Sequence, residues 1–263
     1  MSNTTAATRP LAVVIGATRR RGTGHAIAEE LARQGYDIVA TGRHHRTAAG
    51  DGWRGLESVL EACRSQGAEA TGVVLDVTSE APFEGLEAAV RTRGGVVDAL
   101  VYNAAAPRGD DRVPVEELDL VTWERVLSIN LTGAMLSCRH LTPLLREGAS
   151  IVFISSLAAQ ARPPRMAAYA ASKAGLEALG GCLAAELAGR DIRVNVVAPG
   201  LVDTERVRDL LEDERGARRI RRIPLGRPVR SEEVAATVAF LLAAPARSIT
   251  GQTIAVNGGE LRR

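Results

Sequence analysis

Tyr169 and Lys173 stand four residues apart in "YAASK", a spacing that puts both on one face of a helix. A free phenol titrates near ~10, too high for efficient proton exchange at neutral pH. An ammonium held beside it favours the phenolate, and each pKa unit of depression corresponds to roughly 1.4 kcal/mol. The pair is therefore a candidate proton donor and acceptor. As a pattern it is weak, because such pairs also arise by chance on ordinary helices. Ser156 adds weight. It closes a candidate strand thirteen residues before Tyr169, a place from which its hydroxyl is expected to reach the same pocket.

A second constellation lies near the start, in "LAVVIGATRRRGTGHAIAEELARQG" at 11–35. An apolar strand leads through Gly16, Gly22 and Gly24 into an amphipathic helix from about His25. Glycines here permit a tight turn, close backbone approach to a pyrophosphate and close helix–strand contact. The helix N-terminus then offers positive potential and free N–H groups to phosphates. The same glycines are equally compatible with a purely conformational role. Arg19, Arg20 and Arg21 sit inside this loop, either as solvated decoration or as ligands of an anion.

These residues need a frame. Candidate strands are 11–15, 36–41, 70–75, 97–102, 150–155, 192–197 and 253–257. Most are almost wholly apolar, as expected of strands covered on both faces. Helical patterns closed by glycine, such as "GLESVLEACRSQG", lie between them. Repeated strand-then-helix predicts right-handed crossovers and an α/β fold, a Rossmann-like doubly wound parallel sheet of about seven strands. Residues 1–10 read as a polar tail and 11–263 as one domain. The Arg-rich, turn-rich segment at about 201–230 falls between the last two strands, where a lid belongs.

Composition narrows the function. The 263 residues carry a net charge of +2 with acids and bases nearly balanced, which gives no support to a nucleic-acid or membrane role. No apolar run reaches the length of a membrane span, and the first ten residues lack the apolar core of a signal peptide. Cys63, Cys138 and Cys182 show no paired spacing, which fits a reducing, cytoplasmic setting. Four histidines, including adjacent His44 and His45, offer no zinc-ligand spacing, so no metal is expected.

Further motifs follow in order: "LDV" at 75–77, "YNAA" at 102–105, "SINLTG" at 128–133, "ISS" at 154–156, "NVVAPGLVDT" at 195–204 and "ITGQTIAVNGG" at 249–259. Together with the glycine loop and "YAASK", these resemble the short-chain dehydrogenase/reductase family from about Leu11 to Gly259. The resemblance implies a nicotinamide cofactor, with Tyr169 as proton donor and acceptor. Lys173 would tune Tyr169 and bind the nicotinamide ribose, Ser156 would orient the substrate carbonyl, and Asn130 would hold a water that relays protons to Lys173. It implies cofactor contacts from Gly16, Gly22, Gly24, Asp76, Val77, Asn103, Pro199, Gly200 and Thr204. In the family an acidic residue ending the second strand selects NAD; here Gly42 stands there and Arg43 follows. With Arg21 just before the middle glycine, this implies NADP(H).

Two departures stand out. Ile15 replaces the usual threonine, and five residues rather than three separate Gly16 from Gly22. Such a loop is similar to that of the enoyl-reductase branch. That branch places six residues between tyrosine and lysine where this chain has three, so carbonyl reduction is favoured. "YNAA" likewise stands where the family has "NNAG". The expected activity is that of an NADPH-dependent carbonyl reductase, most similar to the 3-oxoacyl-[acyl-carrier-protein] reductase group. The alternatives are a ketoreductase or alcohol dehydrogenase acting on a polyketide-like or cyclic ketone, and a non-catalytic dinucleotide sensor. Expected partners are a ketone or acyl thioester and an acyl carrier protein. Arg206, Arg208, Arg215, Arg218, Arg219, Arg221 and Arg222 crowd the lid segment. They read first as solvated helix faces of alternating charge and second as a contact for an acidic or phosphorylated carrier. A homotetramer or homodimer is expected, since the family pairs the helix carrying Tyr169 and the 117–146 helix across a two-fold interface. The small and leucine residues around Gly180, Leu183 and Leu187 suit such a contact, and an intrachain core face explains part of the pattern equally well.

Overall fold

Burial explains the strands. In β1 (Leu11–Ile15) all five residues are buried, so the strand needs apolar cover on both faces. Leu11, Val13 and Ile15 enter one core, while Ala12 and Val14 enter the other, following the alternation of a pleated strand. The computed structural model describes residues 9–43, 52–109, 111–205 and 214–261. It extends this pattern through β2 (Asp37–Gly42), β3 (Ala70–Val74), β4 (Val97–Tyr102), β5 (Leu145–Ile154), β6 (Arg193–Pro199) and β7 (Thr253–Val256). The seven strands form one parallel sheet in the order β3-β2-β1-β4-β5-β6-β7. This is the expected doubly wound Rossmann-like architecture.

Helices cover both faces. α1 (Thr23–Arg33) and α2 (Leu56–Ser65) bury Ile27, Leu31, Val59 and Leu60 on one side, and Val234 and Val238 join them from α9 (Ser231–Leu242). The other side receives α3 (Phe83–Arg91), α4 (Leu120–Leu127), α5 (Gly133–Leu141) and the long α7 (Ala167–Leu187). Short α6 (Ala158–Ala161) precedes α7, and α8 (Glu214–Ile220) lies in the expected lid. Strand order reverses between β1 and β4, so a crevice opens beyond their carboxyl ends.

Some boundaries differ from the sequence expectation. α1 begins at Thr23, because Gly22 already has the extended backbone of an N-cap. β5 begins at Leu145, five residues early, with a register shift against β4 that accommodates the exposed "REG". The 117–146 helix is two helices, α4 and α5, joined by a π-helical turn at Ser128–Thr132. On α7, Gly180 and Leu187 face inward, and a Cβ on Gly180 would lie 2.8 Å from Val196 Cγ2. Leu183 also packs against the core. That face therefore serves the chain's own interior. Residues 1–8, His44, His45, Arg206 and Arg208 lie outside the described residues.

Candidate active site

β5 and α7 bring the proton-transfer candidates together. Ser156, Tyr169 and Lys173 line a single cleft of about 950 Å³ at the carboxyl ends of the strands. Lys173 is buried and its Nζ donates to the Ile154 carbonyl at 2.7 Å, which fixes it against the end of β5. The same ammonium lies 5.9 Å from the centroid of the Tyr169 ring. The two adjacent serines separate in role. Ser155 is buried and its hydroxyl turns to Glu177 Oε1 and the Lys173 carbonyl, tying β5 to α7. Ser156 is half-buried, and its Oγ accepts from the Ala158 amide at 3.2 Å.

Asn130 sits in the π-helical turn and is fully buried. Its Oδ1 accepts from the Ala106 amide at 2.7 Å, and its Nδ2 donates to Ser172 Oγ at 2.9 Å. Ser172 in turn donates to the Tyr169 carbonyl at 2.8 Å. The Asn130 side chain thus holds three segments of the site in register.

The glycine loop is closed by β4. Asn103 donates from Nδ2 to the Gly16 carbonyl at 2.6 Å, and its amide donates to the Ile15 carbonyl at 2.9 Å. Gly16 has φ of +91°, and a Cβ there would lie 2.7 Å from Ala104 Cα. A Cβ on Gly24 would lie 2.2 Å from the Gly16 carbonyl oxygen. The α1 N-terminus carries no side-chain cap, and Gly22 and Gly24 line the cleft. A bare backbone cradle with uncapped amides fits a dinucleotide pyrophosphate.

The loop arginines divide. Arg19 lines the cleft together with Gly42, Arg43, Asp76 and Val77. Arg21 lines a separate, smaller cavity with Asp203 and Arg230, and its amide donates to Glu205 Oε1 at 3.2 Å. Of these two, Arg19 faces the cleft that holds Tyr169 and Lys173, and Arg21 does not. The two extra residues carry the chain past Thr18, whose carbonyl accepts from Trp53 Nε1 at 3.0 Å. Burial lowers the Arg19 pKa and Arg43 lowers it further, with Glu205 opposing them. Asp76 is held below its ordinary value, first by the Thr78 amide and then by the Thr78 hydroxyl.

Pro199 at the end of β6, with Gly200 and Thr204 after it, lines the cleft as well. Two wall residues escaped sequence reasoning. Glu260 Oε1 accepts from Arg219 Nε at 3.0 Å, which latches α8 to the segment after β7. Arg112 stacks its guanidinium over the Tyr169 ring, 4.7 Å from the centroid. Cys63 and Cys138 are buried, and burial pushes both thiols up to about 12. Among the described residues there is no metal-binding cluster and no helix long and apolar enough to cross a membrane.

A family model described as "Enoyl-(Acyl carrier protein) reductase" matches residues 16–260. The cis-4-hydroxycyclohexanecarboxylate dehydrogenase of Sinomonas cyclohexanicum is 36% identical over 251 residues, 95% of each chain. The 3-oxoacyl-[acyl-carrier-protein] reductase FabG of Staphylococcus aureus (strain Mu50 / ATCC 700699) is 34% identical over 250 residues, covering 94% of this chain and 96% of that protein. Among solved structures, a blue fluorescent protein from a metagenomic library, in complex with NADPH, superposes with a TM-score of 0.85. That protein is 29% identical, with 96% of this chain and 98% of the other covered. The chain belongs to the short-chain dehydrogenase/reductase family and is a FabG-like oxidoreductase.

Proposed function

We propose that the protein is an NADPH-dependent carbonyl reductase. The observation that carries this reading is the convergence of Ser156, Tyr169 and Lys173 on one end of a cleft that Arg19 and Arg43 line elsewhere. The bound cofactor would supply a hydride to the carbonyl carbon. Tyr169 gives the proton that the carbonyl oxygen gains, so that a ketone leaves as a secondary alcohol. Ser156 Oγ donates to the same oxygen as negative charge develops there. Lys173, fixed by the Ile154 carbonyl, presents its charge beside Tyr169 and to the ribose. Arg19 and Arg43 take the 2′-phosphate, since two guanidinium groups that repel each other call for an anion between them. The NADPH of the metagenomic structural neighbour is in keeping with this choice.

The substrate is a 3-oxoacyl thioester, as the name of the S. aureus relative suggests, or a cyclic ketone, as that of the S. cyclohexanicum relative suggests. Three residues between Tyr169 and Lys173 favour carbonyl over enoyl reduction, whatever the family model is called. A carrier protein would dock near Arg218, Arg219, Arg221 and Arg222. The setting is cytoplasmic. A second copy, in a homodimer or homotetramer, would cover Leu120, Val121 and Met135 on α4 and α5, which are exposed. It would also cover the small exposed residues Ala171, Ala174, Ala178 and Ala185 of α7. A monomer mass in light scattering at micromolar concentration rejects the assembly.

The test is NADPH oxidation with free and carrier-bound 3-oxoacyl thioesters, and with cyclic ketones that include 4-oxocyclohexanecarboxylate. Tyr169→Phe should lower turnover by about 10²- to 10⁴-fold while NADPH still binds. Ordinary turnover in that variant rejects the mechanism. NADPH binding with no carbonyl turned over points to a sensor instead.

A further inference from the structure

Arg112 is paired in charge with Asp111 but leaves buried donors unused. It belongs to the segment after β4, and its side chain is about four-fifths buried in the wall of the cleft. Nε and Nη1 are sealed from solvent and have no hydrogen-bond acceptor among the described residues. Asp111 Oδ2 is 3.6 Å from Nη1, too far for a hydrogen bond, and Asp111 Oδ1 is already taken by the Gly109 amide at 3.3 Å. The Tyr169 ring face is the other compensation, 4.7 Å away. A guanidinium withdrawn from water with donors unused is unfavourable unless an acceptor arrives. Burial lowers its pKa and outweighs Asp111 and Tyr169, while Arg108 and Arg219 lower it further. Nearby Arg219 is engaged by Glu260, Arg43 faces Asp76, and Arg19 faces Glu205 and Arg43.

We infer that Arg112 binds a carboxylate carried by the substrate itself, so that the preferred substrate is a keto acid, or the hydroxy acid in the reverse direction. The inference deepens the reductase reading and rests on it for the position of the reacting carbonyl. Contact with Tyr169 places the anion within a few bonds of that carbonyl. A carrier protein's phosphate cannot lie there, because the pantetheine arm separates it from the thioester. A planar carboxylate suits a planar guanidinium, and Arg108 and Arg222 at the same cleft add attraction without a fixed geometry.

The experiment compares cyclohexanecarboxylate with its methyl ester by calorimetry on the intact protein with saturating NADP⁺. The carboxylate should bind about ten- to hundredfold more tightly than the ester. Arg112→Gln should bring the ratio to near one, and Arg112→Lys should keep part of it. In turnover, the preference for 4-oxocyclohexanecarboxylate over its methyl ester should collapse through KM. Equal binding of acid and ester to the wild type overturns the inference without recourse to any variant. An equal loss on acid and ester in Arg112→Gln also overturns it, and makes Arg112 a prop for Tyr169. Carboxylate selectivity with no ketone reduced would remove the reductase reading and leave the anion site. Reduction of neutral ketones without that selectivity would do the reverse.

Discussion

The Tyr102 hydroxyl donates a hydrogen bond to the main-chain carbonyl of Ile129, inside the π-helical turn that holds Asn130. A π turn interrupts the regular ladder of a helix, and a buried carbonyl needs a donor. Tyr102 is fully buried, and burial pushes its phenol well above the ordinary value, so it remains a donor at any physiological pH. Gly133 is shaped to it: a Cβ there would lie 2.5 Å from the Tyr102 hydroxyl. The tyrosine in "YNAA" thus supports from behind the turn that holds Asn130.

Tyr102→Phe should lower stability by about 1–3 kcal/mol, the cost of leaving a buried acceptor unpaired. Urea unfolding followed by circular dichroism measures it. An unchanged midpoint would mean that the turn does not depend on this bond.

Gly42→Asp should fail as a route to NADH use. A Cβ on Gly42 would lie 1.9 Å from Thr18 Cγ2, and Thr18 is buried. Overpacking of this kind costs about 1–3 kcal/mol. Thr18→Gly should relieve it, so the double variant should be more stable than the sum of the single changes predicts. Additive losses in a double-mutant cycle would refute the clash.

Arg43→Ala should weaken NADPH by about ten- to hundredfold and NADH far less, because it removes charge-assisted bonds to the 2′-phosphate. Arg19→Ala should act in the same direction, and Arg21→Ala should leave the NADPH/NADH ratio as it was. Nucleotide fluorescence titrations decide among the three. A ratio that moves with Arg21 and not with Arg19 would reverse the assignment made from the cleft.

Glu233 supplies a pH dependence. It accepts from Arg227 through both oxygens and from the Arg230 amide at 2.8 Å, where α9 begins. The Arg227 bond, then the Arg230 amide, depress its pKa from 4.5 to about 2. A depressed carboxylate contributes stability above its unfolded pKa and loses it as pH falls through the folded one. Because the pair is largely in solvent, about 1 kcal/mol or less should disappear across that window. Denaturation midpoints taken from pH 5 downward, at roughly half-unit steps, should fall more steeply for the wild type than for Glu233→Gln. Parallel curves would show that the pair contributes nothing.

The sheet was legible because its strands are nearly pure apolar runs between glycine-closed helices, and a buried parallel strand has few other ways to look. β5 was read short because charged and glycine residues at its start mask a strand that tolerates them at a register shift. Ser156, Tyr169 and Lys173 were legible because each follows a recognisable strand end or helical spacing. Side-chain direction in a loop carries no such period, so the sequence could not distinguish Arg19 from Arg21. Arg112 and Glu260 were illegible for a related reason. They come to the cleft from segments without periodicity, and only the folded chain brings them to Tyr169 and Gly200. Tyr102 was visible as a departure from "NNAG", yet its partner is a main-chain atom that no residue type announces.

The steric pairing of Thr18 with Gly42 also sets an order of events for any lineage descended from this chain. A mutation that installs an acid at position 42 first meets the Thr18 methyl and is penalised in folding before it can be rewarded in NADH use. Loss of the methyl at position 18 meets no clash, gives up only the packing of one small buried group, and opens the second step. Cofactor preference here drifts through a gate that opens from one side, and laboratory evolution should recover the position-18 change before the position-42 change in nearly every independent line.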